Sequence, residues 1–193
     1  TFVEELVSQG LVENKFNTIF FTKGDSKIPE YAGLYSAIVG SVLTLIITMI
    51  VAFPIGVMTA IYLEEFSEDN KFTRFIEINI NNLAAIPSIL FCLLGLAIFI
   101  NLFGMPRSSP LVGGLTLSLM TLPIIIVSSR AALRAVPDSI GQAGYGLGLN
   151  KIQVTKDHVL PLAFPGVLTG SIIGLAHAMG ETAPLIIIGM IAF

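Results

Sequence analysis

Four stretches of the chain carry no Asp, Glu, Lys or Arg: Tyr31 to Leu63, Ile78 to Pro106, Ser108 to Ser129 and Val159 to Gly180. A helix needs ~20 residues to cross a hydrocarbon layer ~30 Å thick, and each stretch meets that length. None shows the polar face, recurring at helical period, that a helix lying on a soluble core presents to water. The pattern predicts four membrane-spanning helices. The first ends near Leu63 and contains Pro54, where a kink is expected; the second contains Pro87 at mid-length. The third runs from Leu111 to Ser129 with an interruption at Pro123, and the fourth starts near Pro165. Proline is tolerated in such helices where neighbours satisfy the freed carbonyl.

The charged positions divide the rest. Residues 1–30 are mixed and polar and read as an extracytoplasmic segment; residues 31–193 read as one membrane domain. Glu64 to Arg74 makes a short charged loop. Arg130 to His158 is a longer polar segment, suited to one or two short helices outside the bilayer and closed by Pro161. Lys71, Arg74, Arg130, Arg134, Lys151 and Lys156 lie in these two loops, against Arg107 alone between Asn101 and Pro110. The excess of positive charge places the two basic loops in the cytoplasm. The chain opens Thr1-Phe2-Val3, without an initiator Met or a signal pattern, and is expected to be a fragment with an earlier span missing.

Composition sharpens this picture. Of 193 residues, 54% are hydrophobic and 12% charged, where soluble domains run near ~25% charged; mean hydropathy is +0.86. Ten Lys and Arg against 13 Asp and Glu give a net charge of −3, which offers no basic field for nucleic acid. Cys92 is the sole cysteine, so the chain forms neither an internal disulfide nor a thiolate metal cluster.

Two regions carry candidate chemistry. In Val136 to Pro161, Gly141, Gly144, Gly146 and Gly148 fall within eight positions, and each costs a helix ~1 kcal/mol relative to Ala. Gly141 and Gly146 have the spacing of a phosphate-binding loop, yet Leu147-Gly148 stands where Lys and Ser or Thr are required. No nucleotide or other cofactor site is therefore expected in this chain. The segment reads either as a flexible connector or as a helix offered to a partner's groove. In the fourth span, at about 100° per residue, Gly166, Gly170, Gly174 and Ala178 share a stripe with His177 and Glu181. Small residues permit close helix packing, and a carboxylate within a membrane is costly unless paired or hydrated. Glu181 either holds the bundle together or lies on a translocation path; His177, one turn away, would pair with it and leave a second nitrogen for an anion. Two side chains are too few for a metal site. Ser171 faces away from His177, which argues against a hydrolase.

Several motifs resemble a known family. Gln142-Ala143-Gly144, Gly148 and Leu160-Pro161 resemble the Glu-Ala-Ala triplet, following Gly and distal Leu-Pro of the EAA loop in ABC importer permeases. Ala178-Met179-Gly180-Glu181-Thr182-Ala183-Pro184-Leu185 resembles the Gly-Glu-Thr-Ala-Pro signature of PstA-type phosphate permeases. Ala60-Ile61-Tyr62-Leu63-Glu64-Glu65 and Asn82-Leu83-Ala84-Ala85-Ile86-Pro87-Ser88-Ile89 resemble that family's second and third helices.

The resemblance implies an all-α type I ABC importer permease fold, with four of about six family helices present and the first and last missing. It implies a multi-pass subunit of the cell inner membrane, serving an ATP-driven inorganic phosphate importer and performing no covalent chemistry itself. The implied partners are a PstC-type second permease subunit, a cytoplasmic ATPase dimer that binds the ATP, and an extracytoplasmic phosphate-binding protein. Gln142, Ala143, Gly144, Gly148, Leu160 and Pro161 would dock the ATPase, and Arg130, His177 and Glu181 would line the substrate path. His177 stands where the family usually has Arg, leaving Arg130 as the permanent cation, unless Arg130 anchors its helix at the cytoplasmic interface. A sulfate or molybdate permease, or a non-transporting scaffold whose loop recruits a signalling partner, are the alternative readings.

Overall fold

The computed structural model describes residues 16–24, 26, 28 and 31–189; most of the expected extracytoplasmic segment lies outside them. The described residues fall into two compact units, one up to residue 41 and one from residue 42 onward. In the first, helix α1 (Thr18–Thr22) is capped by Asn17, whose side chain accepts from Phe20 N. Gly33 N donates to Gly24 O at 3.0 Å, and a Cβ on Gly33 would come within 2.2 Å of the Lys23 carbonyl. That close approach needs glycine. Helix α2 (Tyr35–Ile61) starts in this unit and continues into the second.

All described regular structure is helical. α2 passes through Pro54 and ends in a π-wound turn, Tyr62–Phe66, so one helix covers Tyr35–Phe66. The expected second span is not a single helix. Lys71–Ala84 (α3) and Ser88–Gly95 (α4, continuing as a π-wound Leu96–Leu102) meet at 102°. Pro87 has no amide hydrogen and drives Ile86 away from helical angles, which ends α3 there. The eight and seven residues beyond the break reach only roughly 22 Å at 1.5 Å per residue, short of a full crossing. α3 begins before the uncharged run because Asn70 caps it, accepting from Thr73 N at 2.9 Å.

Helix α5 (Pro110–Arg134) is capped by Ser109 and runs through Pro123 without a break, against the expected interruption. After α6 (Asp138–Gly146), a capping box formed by Asn150 and Gln153 opens α7 (Lys151–Val154). α7 joins α8 (Leu160–Gly180) through a π-wound turn, Thr155–Val159, giving one helix over Lys151–Gly180. The fourth span therefore starts about four turns before Pro165. Leu160 and Pro161 lie inside it and close no loop. A π turn next to a proline is a usual place for the helix to absorb the missing bond. Among the described residues, three helices are thus each long and apolar enough to cross a membrane, and the bent pair makes a fourth candidate.

α5 is the central post, with 61% of its apolar window buried. Glycines let its neighbours approach. A Cβ on Gly56 would lie 2.7 Å from Ile125 Cγ2, and one on Gly114 2.6 Å from Ile47 Cγ2. Thr48 Oγ1 donates across the α2–α5 seam to Gly114 O at 3.1 Å. A core of Ala60, Leu63, Ile126, Leu133, Val154, Val159, Ala163 and Val167 packs the end of the bundle that carries α6. α9 (Ala183–Ile188) closes the described fold, Cys92 Sγ donating to Pro184 O at 3.4 Å.

Candidate functional site

The segment that joins α5 to α7 is shaped by two glycines. Gly148 has φ +80°, a conformation that costs an L side chain about 1–2 kcal/mol. It ends α6, with Gly148 N donating to Tyr145 O at 2.9 Å and Leu149 N to Gly144 O at 3.2 Å, and so turns the chain back toward α7. Gly144 is buried, and a Cβ there would lie 2.8 Å from Val154 Cγ2. Glycine in place of the triplet's last Ala therefore lets α6 lie directly on α7. Gln142 and Ala143 are exposed, and so are Tyr145, Leu147 and Ile152, Leu147 to 79%. A groove of about 420 Å³ runs beneath α6, lined by Glu64, Arg134, Gln142, Tyr145 and Lys151 among others.

Arg130 stands beside this groove, held in ion pairs. It is 9% exposed, and its Nε donates to Glu64 Oε2 at 3.1 Å while Nη2 donates to Glu77 Oε1 at 2.5 Å. Glu64 Oε1 also accepts from Arg134 Nε at 2.6 Å. Two carboxylates thus balance two guanidiniums, and Arg130 is not a free cation awaiting an anion. The two-pronged geometry suits Arg, since a lysine ammonium could not present a planar fork to both acids. This cluster lines a cavity of about 370 Å³ together with Asp69 and Arg74.

His177 and Glu181 line a separate cavity of about 180 Å³, with Leu83, Ile86, Ser88, Met120 and Ile124. The structure brings these two together and keeps Arg130 apart. α8 ends at Gly180, and Glu181 is extended (φ −90°, ψ 99°), so the carboxylate leaves the helical stripe on which the spacing had put it. His177 Nε2 still lies 3.6 Å from Glu181 Oε1, an ion-pair distance too long for a hydrogen bond. The His177 side chain is 52% exposed and that of Glu181 24%. The cavity sits at the 102° break, where Ala84, Ile86 and Ser88 from both halves of the broken span form its wall. Such breaks are where membrane helices tolerate irregular backbone, lining a cavity.

The small residues of α8 face α5. A Cβ on Gly166 would lie 2.7 Å from Ala132 Cβ, one on Gly170 2.2 Å from Ser128 Oγ, and one on Gly174 3.3 Å from Ile125 Cγ1; Ala178 is buried. Among the described residues no group of three or more His, Cys, Asp or Glu is placed to hold a metal ion.

Glu77, with Glu64 as its counterpart, was not singled out by its sequence. A signal was present: Glu64 is the first charge after one uncharged run, Glu77 the last before the next, and Arg130 the first after a third.

The sequence pattern of the family described as "binding-protein-dependent transport system inner membrane component" matches residues 31–192. The chain belongs to this family. It is thus a multi-pass membrane component with the ABC importer permease fold. It is similar to the phosphate transport system permease protein PstA of Mycobacterium leprae (strain TN), 36% identical over 160 residues, 82% of this chain and 52% of that protein. PstA of Yersinia pestis is 35% identical over 158 residues, 80% of this chain and 52% of that protein. The probable ABC transporter permease protein YqgI of Bacillus subtilis (strain 168) is 32% identical over 168 residues, 86% of this chain and 56% of that protein. The chain spans about half the length of these curated relatives. Among solved structures, the inward-facing MetNI methionine ABC transporter matches with a TM-score of 0.61 at 18% identity, covering 79% of this chain and 70% of that one. An amino acid ABC transporter matches with a TM-score of 0.56 at 21% identity, covering 79% and 71%. These likenesses concern the fold.

Proposed function

We propose that the protein is a membrane permease subunit of an ATP-driven inorganic phosphate importer, paired with a second permease subunit, driven by a cytoplasmic ATPase dimer and supplied by an extracytoplasmic binding protein. The observation that carries the reading is the phosphate-permease signature, Gly180 to Pro184, ending α8 beside a cavity in a chain whose relatives include phosphate transport permeases. α6 is the ATPase docking element. Its exposed Gln142 and Ala143, with Tyr145 and Leu147, present a short mixed surface that a protein groove would cover, and the Gly148 turn holds it at a set angle to α7. His177 and Glu181 belong to the path, where an imidazolium would meet the anion and the carboxylate would accept a hydrogen bond from a protonated oxyanion. The chain itself binds no nucleotide and forms no covalent intermediate.

The test is uptake of labelled phosphate by proteoliposomes that contain the protein, its partner permease, ATPase and binding protein, with sulfate and molybdate as competitors. ATP-dependent uptake that neither competitor suppresses, and that Gly148→Asp lowers, is expected. Uptake of sulfate or molybdate in preference would replace the substrate; no uptake of any oxyanion with the ATPase bound would replace transport by a scaffold role.

A further inference from the structure

Arg134, Glu64, Arg130 and Glu77 form one alternating chain of charges from the ends of α2 and α5 to the middle of α3. Each oxygen of Glu64 takes one guanidinium, and Arg130 divides its donors between Glu64 and Glu77. At one end of this chain, Glu64 and Arg134 line the groove under α6 with Gln142 and Tyr145. At the other end is α3, whose last turn, Leu83 and Ala84, walls the cavity that holds His177 and Glu181. The ion pairs therefore connect the docking end of the molecule to the helix that shapes the candidate path.

The rest of α3 packs on α5 without depth. It contains no buried residue; Ile76 and Ile80 rest half-buried on the core, while Phe72 and Phe75 are exposed. The neighbouring loop adds the Asn70 cap, a hydroxyl bond from Ser67 to Thr73 at 3.4 Å and an exposed pair, Arg74 to Asp69 at 3.7 Å. Half-buried ion pairs return little net stability, because desolvation offsets most of the attraction, but they do define which groups stand opposite one another. A helix packed this shallowly takes its register on α5 from which charges stand opposite one another.

We infer that Glu77 is a positioning residue that ties α3 to α5 through Arg130, so that a displacement of α6 by the ATPase reaches the break at Ala85 to Pro87 and reshapes the His177–Glu181 cavity. This rests on the transport reading above. Removing the tie leaves ATP hydrolysis in place and disconnects it from the path.

The experiment compares Glu77→Gln, Glu77→Leu, Glu77→Asp and the control Asp69→Asn in the reconstituted complex, recording assembled complex, ATP hydrolysis and phosphate taken up per ATP. In the Gln and Leu variants uptake per ATP falls about fivefold or more, the lower range of measured couplings between sites, while ATP hydrolysis and assembly persist. The Asp variant restores coupling and Asp69→Asn leaves it unchanged. Uptake and hydrolysis falling in proportion, parent-like coupling in Glu77→Gln, or failure of both Gln and Leu variants to assemble would each overturn the inference. Spin labels at Phe72 and Leu102, one on each side of the break, in a Cys92→Ala background, report the movement without reference to substrate: ATP changes their separation in the parent and not in Glu77→Gln. An unchanged response in that variant overturns the inference, whereas a parent complex that moves no phosphate tells against the substrate reading alone.

Discussion

Gly170→Ala tests the packing on which the bundle depends. In the native helix pair, the added Cβ would stand 2.2 Å from Ser128 Oγ, 2.4 Å from Ser128 Cβ and 3.6 Å from Ser128 Cα. Rotating the hydroxyl clears the first contact. The second involves a Cβ fixed to the α5 backbone, and a normal carbon contact of about 3.5–4.0 Å is restored only if α5 and α8 separate by roughly 1 Å. That separation would loosen Gly166 against Ala132 and Gly174 against Ile125, which flank it on the same seam. Overpacking of this kind costs about 1–3 kcal/mol. Equilibrium unfolding of the purified protein in mixed micelles measures the loss. Ser128→Gly, which removes the opposing Cβ and a hydroxyl bonded to Ile125 O at 3.1 Å, should recover most of it in the double variant. The coupling between the two sites is the deciding quantity. A Gly170→Ala protein as stable as the parent, or a Ser128→Gly background in which the penalty is undiminished, would refute the proposed register of α5 on α8.

Other outcomes follow from the same coordinates. Gly148→Ala should cost about 1 kcal/mol, because φ is +80° and open space surrounds the position, and Gly148→Asn should cost less since Asn tolerates left-handed angles; ATPase affinity of the assembled complex, measured for both, should follow that order. Gly144→Ala should weaken the docking of α6 on α7 through Val154, and Val154→Ala should relieve it; proteolysis of the 135–150 segment reports the difference. Arg130→Ala leaves Glu64 and Glu77 facing each other with Arg134 as the remaining partner of Glu64, and should cost about 3 kcal/mol as a broken half-buried pair; a loss below about 1 kcal/mol in micelle unfolding would show Arg130 to be solvated.

The membrane architecture was legible because hydrocarbon transfer is a local, additive property. Uncharged runs of about 20 residues identify spans wherever the chain later packs them. The Gly166, Gly170, Gly174 stripe was legible for a related reason, since helical period alone puts those residues on one face. Sequence spacing was weaker where a helix had to be known to continue. The proline at 87 stops one and those at 54, 123 and 161 do not, a difference that proline's local effect on the backbone does not contain. Glu181 was assigned to a helical face because the helical period was carried past Gly180, although a glycine with Pro184 close behind it is a helix-stop signal.

The charges mark the boundary between the two kinds of knowledge. Which segments carry Arg130, Glu64 and Glu77 was plain, but Arg130 meets its partners 66 and 53 positions away. Those ion pairs place Arg130 in a different cavity from His177 and Glu181. The sequence by itself determined which parts of this protein leave water; the tertiary structure decided which charges meet, because pairing energy depends on distance in space and burial, and neither varies regularly with separation along the chain.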